Sequence, residues 1–289
     1  MRNTTDPVHV LGATGRIGQA VCRALVANGV KVIPLVHEPQ RWDETGIEGK
    51  PRAIDLLDDY SMRSELADAV RVISCASPLH TANILVATDP DVLMVLLGDA
   101  RRYLHAPDLA GLTAMEGERE LVGSGRPAAM LHPTLIYGLP RNDPVRRWAS
   151  WMRRLPVMPL PAGGRSLIQP IALDDVVACI LAAIDRNWSQ PTVVPVGGAQ
   201  TVEVAMLLRM IADAAGIAMP AVFSLPPRLM PLFGAFTALI PGMRLASTDD
   251  LRNLSENRVV DIGPMRDKLG VEARNLEQGL REMFAQVPT

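Results

Sequence analysis

Three glycines spaced three residues apart carry the most specific chemistry in this chain. Gly12, Gly15 and Gly18 lie in Val8-His-Val-Leu-Gly-Ala-Thr-Gly-Arg-Ile-Gly18. Without side chains, such a turn reaches dihedrals closed to other residues and lets the backbone approach a phosphate. Exposed amides at the start of a following helix then suit a dinucleotide pyrophosphate. The spacing is G-x-x-G-x-x-G, not the commoner G-x-G-x-x-G, so a plain glycine turn in an unrelated αβ unit has the same letters. A second candidate group lies in Gly98-Asp-Ala-Arg-Arg-Tyr-Leu-His-Ala-Pro107. There Tyr103 or His105 can act as a general acid, since histidine titrates near neutrality unaided. The alternatives are an aromatic packed under the loop and a surface or capping histidine. Asp99 reads as a cap or as a partner for Arg101 or Arg102.

The elements needed to position these groups are legible. Apolar Val8 to Leu11 runs into the glycines, and Ile17, Val21, Leu25 and Val26 follow at helical spacing, with an αL-type cap near Asn28-Gly29. Further strands are expected at 31–36, 51–57, 72–75, 91–97, 128–132 and 192–196. Pro34 is an objection unless its missing donor falls at a strand end. Helices are expected from Ser61, over 79–88, 112–124, 174–184 and 202–215, with Ser61 and Asp174 or Asp175 as caps. Residues 37–50 read as a polar loop. Five or so alternations of strand and helix argue an α/β, Rossmann-type doubly wound parallel sheet, and Tyr103 and His105 then fall at its carboxyl edge, where sites of open α/β sheets form.

Composition excludes several classes. With 289 residues, 29 basic and 31 acidic, the formal charge of -2 offers no electrostatic grip on nucleic acid or anionic lipid. Cys22, Cys75 and Cys179 are few, scattered and in apolar surroundings, which points to core residues in a reducing compartment and not to staples or metal ligands. The first seven residues lack an apolar h-region, so a cytoplasmic protein is expected. The greasiest stretch, 229–243, is too short to span a membrane. The apolar run 225–245 is expected to pack on the main domain, a lipid-like substrate or a dimer face being the alternatives.

Taken together, GATGRIG at 12–18, DLLDD at 55–59, ISCAS at 73–77, EGERELVGSGRPAAMLHPTLIYG at 116–138, QPIALDDVVACILAAI at 169–184 and GLREMF at 279–284 resemble the short-chain dehydrogenase/reductase superfamily, in its extended or atypical NAD(P)-dependent epimerase/dehydratase branch. The resemblance implies a dinucleotide-binding core over 1–138, completed by about 169–197, and a smaller substrate lobe from 139–168 and 198–289. It implies that Gly12, Thr14, Gly15, Arg16, Ile17 and Gly18 cradle the pyrophosphate. Asp55 and Leu56 would contact the adenine, and Cys75, Ala76 and Ser77 would line the nicotinamide-side ribose. His80 would touch ligand, and Arg141 and Arg165 would grip a substrate phosphate, with Arg147 nearby. Charge after the second strand selects between NAD and NADP. His37 stands there, and with Arg16 and Arg41 close by the expectation leans to NADP.

The same resemblance exposes an absence. Catalytic members use a tyrosine four residues before a lysine, whose ammonium brings the phenol down from about 10. Here Tyr60, Tyr103 and Tyr137 all lack a lysine at plus four; the lysines are Lys31, Lys50 and Lys268. Alignment on EGER at 116–119 puts Ala110 at the tyrosine and Ala114 at the lysine. The usual hydroxyl after the fifth strand is missing from Leu97-Gly98-Asp99-Ala100, and His132 replaces the usual arginine. Two readings remain: an oxidoreductase or isomerase acting on a small molecule with a non-standard acid, and a dinucleotide-binding sensor, assembly or regulatory protein without turnover. A homodimer is compatible with either.

Overall fold

A computed structural model describes residues 6–226 and 256–285. The main strands are β1 (Val8–Leu11), β2 (Val32–Val36), β3 (Arg52–Ala53), β4 (Arg71–Ser74), β5 (Leu93–Leu97), β6 (Ala128–Pro133) and β7 (Thr192–Val196). They form one parallel sheet in the order β7-β6-β5-β4-β1-β2-β3. The helices are α1 (Arg16–Ala27), α2 (Asp59–Leu66), α3 (Thr81–Ala87), α4 (Leu109–Ser124), α5 (Pro144–Arg154), α6 (Leu173–Ile184), α7 (Val204–Ala215), α8 (Gly263–Leu269) and α9 (Leu276–Ala285).

Alternation along the strands fills both faces. Val8, Val10 and Val95 meet Val21 and Leu25 of α1 and Val176 and Ile180 of α6. Leu11, Met94 and Leu96 meet Met62 of α2, Ile84 of α3 and Leu121 of α4. Each such side chain contributes roughly 1.5–3 kcal/mol when fully buried, and two-sided burial is what all-parallel sheets require. A separate core in a smaller lobe joins Trp148 and Trp151 of α5, Leu207 and Ile211 of α7, and Leu280 of α9. The architecture is therefore the doubly wound Rossmann type with a smaller, largely C-terminal lobe. Strand order reverses between β1 and β4, and the crevice at their carboxyl ends is where such sheets bind ligands.

Some local expectations change. Pairing of β2 with β3 begins only at Leu35, so Pro34 lies short of that ladder. The supposed polar loop holds a short helix, Gln40–Asp43, that buries Trp42, whose indole donates to the Gly49 carbonyl at 2.9 Å. Asp58, not Ser61, caps α2, accepting from the Tyr60 amide. Neither Asp174 nor Asp175 caps α6, which starts at Leu173; Asp175 instead accepts from the Arg274 amide and Nε, both at 3.0 Å, tying the segment before α9 to α6. Cys22, Cys75 and Cys179 are free, and burial pushes the Cys75 and Cys179 thiols up to about 12. Most of the 225–245 run lies outside the described residues. Among the described residues no helix is long and apolar enough to cross a membrane, and no acidic, histidine or cysteine cluster could hold a metal.

Candidate active site at the carboxyl edge of the sheet

The glycine turn is built by close approach. Gly12 has φ +70°, and a Cβ there would sit 3.0 Å from the Ala76 nitrogen; one on Gly18 would sit 2.2 Å from the Gly12 oxygen. Gly12 and Gly18 are therefore steric necessities, and the segment after β4 is pressed against the turn. Gly15 caps α1 in extended conformation with no side-chain bond, and the first turn carries no acid. The opening amides of α1 thus keep the character that receives an anion. This cradle fits a dinucleotide pyrophosphate.

The other predicted cofactor residues have local duties of their own. Ser77 accepts from the Leu79 amide at the start of a short turn, Pro78–His80, and His80 is half-buried. Asp55 is exposed and its carboxylate accepts from the Leu57 amide at 2.9 Å; the Leu56 carbonyl accepts from Asn83 at 3.0 Å. Thr14 lends its carbonyl to Gln19 Nε2 at 2.9 Å. His37 is exposed just past β2.

Beyond β5 the arrangement is unlike anything its sequence announces. A Cβ on Gly98 would lie 2.2 Å from His132 Nδ1. The buried imidazole thus takes the space beside the chain where a side chain on residue 98 would begin. Its Nδ1 accepts from the Asp99 amide at 3.0 Å, which leaves the proton on Nε2, facing Glu118 Oε2 at 2.9 Å. The same Glu118 oxygen lies 2.8 Å from Arg102 Nε. Arg102 lies over the Tyr103 ring, 4.7 Å from its centroid, while Tyr103 and His132 meet edge to face at 5.8 Å. Burial pushes the Tyr103 phenol above its ordinary range; Arg102 pulls it back in part and Glu118 adds to the rise.

The loop is held down as a unit. Asp99 accepts from the Arg101 amide, Nε and Nη2 at 2.8, 3.0 and 2.7 Å, Arg101 Nη1 reaches Asp108 at 2.8 Å, and Asp108 caps α4 through the Gly111 amide at 2.9 Å. On α4, Ala114 is 0% exposed. A Cβ on Gly111 would lie 2.7 Å from the Arg101 oxygen, and one on Gly117 would lie 2.6 Å from the Pro78 oxygen. Both edge loops therefore close directly onto the face of α4 that carries Ala114. There is no room at residue 114 for a lysine.

A cavity of about 370 Å³ opens between the sheet edge and the smaller lobe. Arg16, Arg101, Arg147 and Arg258 line it, with Asp99 the single acidic lining residue among the described residues and Tyr103 among the lining groups. His105 is not on this wall; it is exposed, its amide donating to Glu256 at 3.2 Å. Arg141 and Arg165 are exposed and outside the lining. Met115 points outward, and Trp148 and Trp151 are spent in the lobe core, so none of them fills the cavity. Sequence reasoning did not single out Arg258, Arg102 or Glu118 as site residues. Their signal is spatial, since they come from elements far apart in the chain.

Comparison with known proteins adds the following. No family model and no curated protein sequence matches the chain. Solved structures do. MoeE5 in complex with UDP-glucose and NAD is 19% identical, with a TM-score of 0.72 over 97% of this chain and 98% of that one. UDP-glucose 4-epimerase from Thermotoga maritima, with UDP-glucose, is 16% identical, TM-score 0.72, over 97% and 98%. NADPH-dependent quinone oxidoreductase QOR2 from Escherichia coli, with NADPH, is 15% identical, TM-score 0.76, over 96% and 99%. What is shared is the fold. It is the doubly wound Rossmann type with a smaller lobe.

The expectation of NADP is corrected here. Arg16 does not turn toward the end of β2; its guanidinium reaches the Arg141 and Asn142 carbonyls of the lobe at 3.5 and 3.3 Å. Arg41 Nε lies 3.6 Å from Glu38. Both cations on which a 2'-phosphate was to rest are thus engaged elsewhere. NAD is also the nucleotide named with MoeE5, with a short-chain dehydrogenase/reductase superfamily protein from Agrobacterium tumefaciens and with a UDP-glucuronic acid 4-epimerase mutant from Bacillus cereus, against NADPH with the quinone oxidoreductase.

Proposed function

We propose that this chain is an NAD-dependent oxidoreductase for a small anionic molecule, with its proton donor on the loop after β5. Gly12, Gly15, Gly18 and the first amides of α1 hold the pyrophosphate, and Asp55, Leu56 and Cys75 to Ser77 flank the nucleotide. Glu38, just beyond β2, is the carboxylate suited to ribose hydroxyls. When bound, NAD supplies hydride chemistry. The protein's own part is to orient the substrate and supply a proton at the Tyr103 hydroxyl. The carrying observation is the cavity itself: Tyr103, Arg147 and Arg258 line it at the sheet's carboxyl edge, while α4 offers no acid or base at residues 110 and 114. A planar guanidinium takes two oxygens of a phosphate or carboxylate at once. That supports an anionic substrate such as the nucleotide sugars named with two of the structural neighbours.

A phenol held above its ordinary range keeps its proton at neutral pH, so Tyr103 suits proton donation to a carbonyl oxygen and not abstraction. The test is a hydride-transfer screen of carbonyl substrates with NADH, comparing wild type with Tyr103→Phe. Turnover that falls about 10²-fold or more, with NADH binding retained, supports the reading. Tight NADH binding with no turnover by either protein supports instead a sensor or regulatory protein. Outward Val86, Leu112, Met115 and Val122, on α3 and α4, further support a homodimer packed through these helices.

A further inference from the structure

We infer that Arg102, seated on Glu118 and through it on the buried His132, is the positioning group for Tyr103, in the role that a lysine on the neighbouring helix plays in the resembling enzymes. The inference rests on the reading of Tyr103 as the proton donor and deepens it. Three elements converge on the ring. Arg102 belongs to the same short turn and covers the ring face at 4.7 Å. His132 comes from β6 and supports the ring edge-on at 5.8 Å. Glu118 comes from α4, one helical turn beyond Ala114, and one of its oxygens lies 2.8 Å from Arg102 Nε and 2.9 Å from His132 Nε2. Among the described residues these are the charged and titratable groups that face the phenol: one cation, one carboxylate, one imidazole.

The chemistry of the set is directional. The Asp99 amide can only donate, so His132 Nδ1 accepts and Nε2–H is committed to Glu118. That fixed donor orients the carboxylate, and the carboxylate holds the guanidinium. A guanidinium stays charged throughout the working pH range, so the cation over Tyr103 is permanent. When the phenol O–H breaks and its proton passes to a bound oxygen, the phenolate left behind lies beside Arg102, and water returns the proton. Glu118 keeps Arg102 over the ring but offsets part of its field, consistent with a phenol that remains protonated until it is used.

The test reads Tyr103 itself and needs no cofactor. Phenolate absorbance is followed against pH, and Tyr103 is isolated by subtracting the Tyr103→Phe curve, which retains exposed Tyr60 and buried Tyr137. Arg102→Gln is expected to shift the Tyr103 titration upward, and Arg102→Lys to restore most of that shift. In a Glu118→Gln background, Arg102→Gln is expected to have a smaller effect, because its seat is already gone. An Arg102→Gln curve superimposed on wild type, a lysine variant as shifted as the glutamine, or equal effects in both backgrounds overturns the inference. NADH binding by calorimetry on the same proteins separates the two readings. A moved titration without NADH binding leaves the clamp standing and removes the oxidoreductase, and the converse removes the clamp alone.

Discussion

Two ends of one sheet edge have been treated differently in this molecule. At the carboxyl ends of β1 and β4 the glycine turn retains every steric feature a pyrophosphate cradle needs, down to the 2.2 Å that separates a Gly18 Cβ from the Gly12 oxygen. At the ends of β5 and β6 the space beside the strands is filled by packing. Ala114 is fully enclosed, Gly111 and Gly117 accept loop backbone, and His132 occupies the position beside Gly98. The lesson is that Ala114, Gly111, Gly117 and the Gly98–His132 contact close this wall together, as one packed unit. The proposed function assigns the nucleotide to the cradle and the proton donor to the loop after β5.

Restoring the lost lysine is the severest challenge to that contrast. Ala114→Lys would force a long charged side chain into a fully enclosed site, where Glu118, one turn along, is already engaged by His132 and Arg102. We expect a loss of about 3 kcal/mol or more in denaturant unfolding and no gain in turnover. A stable, more active variant would mean that the wall is not closed. Gly98→Ala comes next, with a cost of about 1–3 kcal/mol from the clash with His132. Combining it with His132→Ala should give a loss smaller than the sum of the two single changes, because the clash is removed. Additive costs would show that Gly98 is not glycine on account of His132.

The pH dependence sharpens the comparison in another way. Tyr103 acting as an acid must be protonated, and its pKa is raised by burial. Turnover should therefore hold from neutral into alkaline pH and fall only as the phenol titrates. A rate that rises with pH as a base ionises would count against Tyr103 as donor. The smallest effect is expected at Arg16, where Arg16→Met removes two long, exposed contacts to the lobe. It should cost under about 1 kcal/mol and leave the choice between NADH and NADPH unchanged.

How much of this was legible beforehand follows from the range of the interactions. The strand–glycine–helix unit and the α/β alternation are encoded in residues close in sequence, so fold class and the turn at 12–18 were readable. That no tyrosine has a lysine at plus four was readable by counting. The helix that buries Trp42 was not, because one apolar residue in a four-residue helix leaves no periodicity. The caps were confused where hydroxyls and carboxylates compete over a few positions, as with Asp58 and Ser61. Arg258 reaches the cavity and Glu118 reaches both His132 and Arg102 only through tertiary packing. Arg16 misled for the same reason: its position beside the glycines was local information, but its direction was decided by carbonyls 125 and 126 residues away.

The most direct measurement is calorimetric titration of the purified protein with NADH and with NADPH, repeated on Gly18→Ala. The account predicts tighter binding of NADH than of NADPH, abolished when the methyl group enters the turn. Binding that survives in Gly18→Ala, tighter binding of NADPH, or no binding of either nucleotide to the wild-type protein would contradict it.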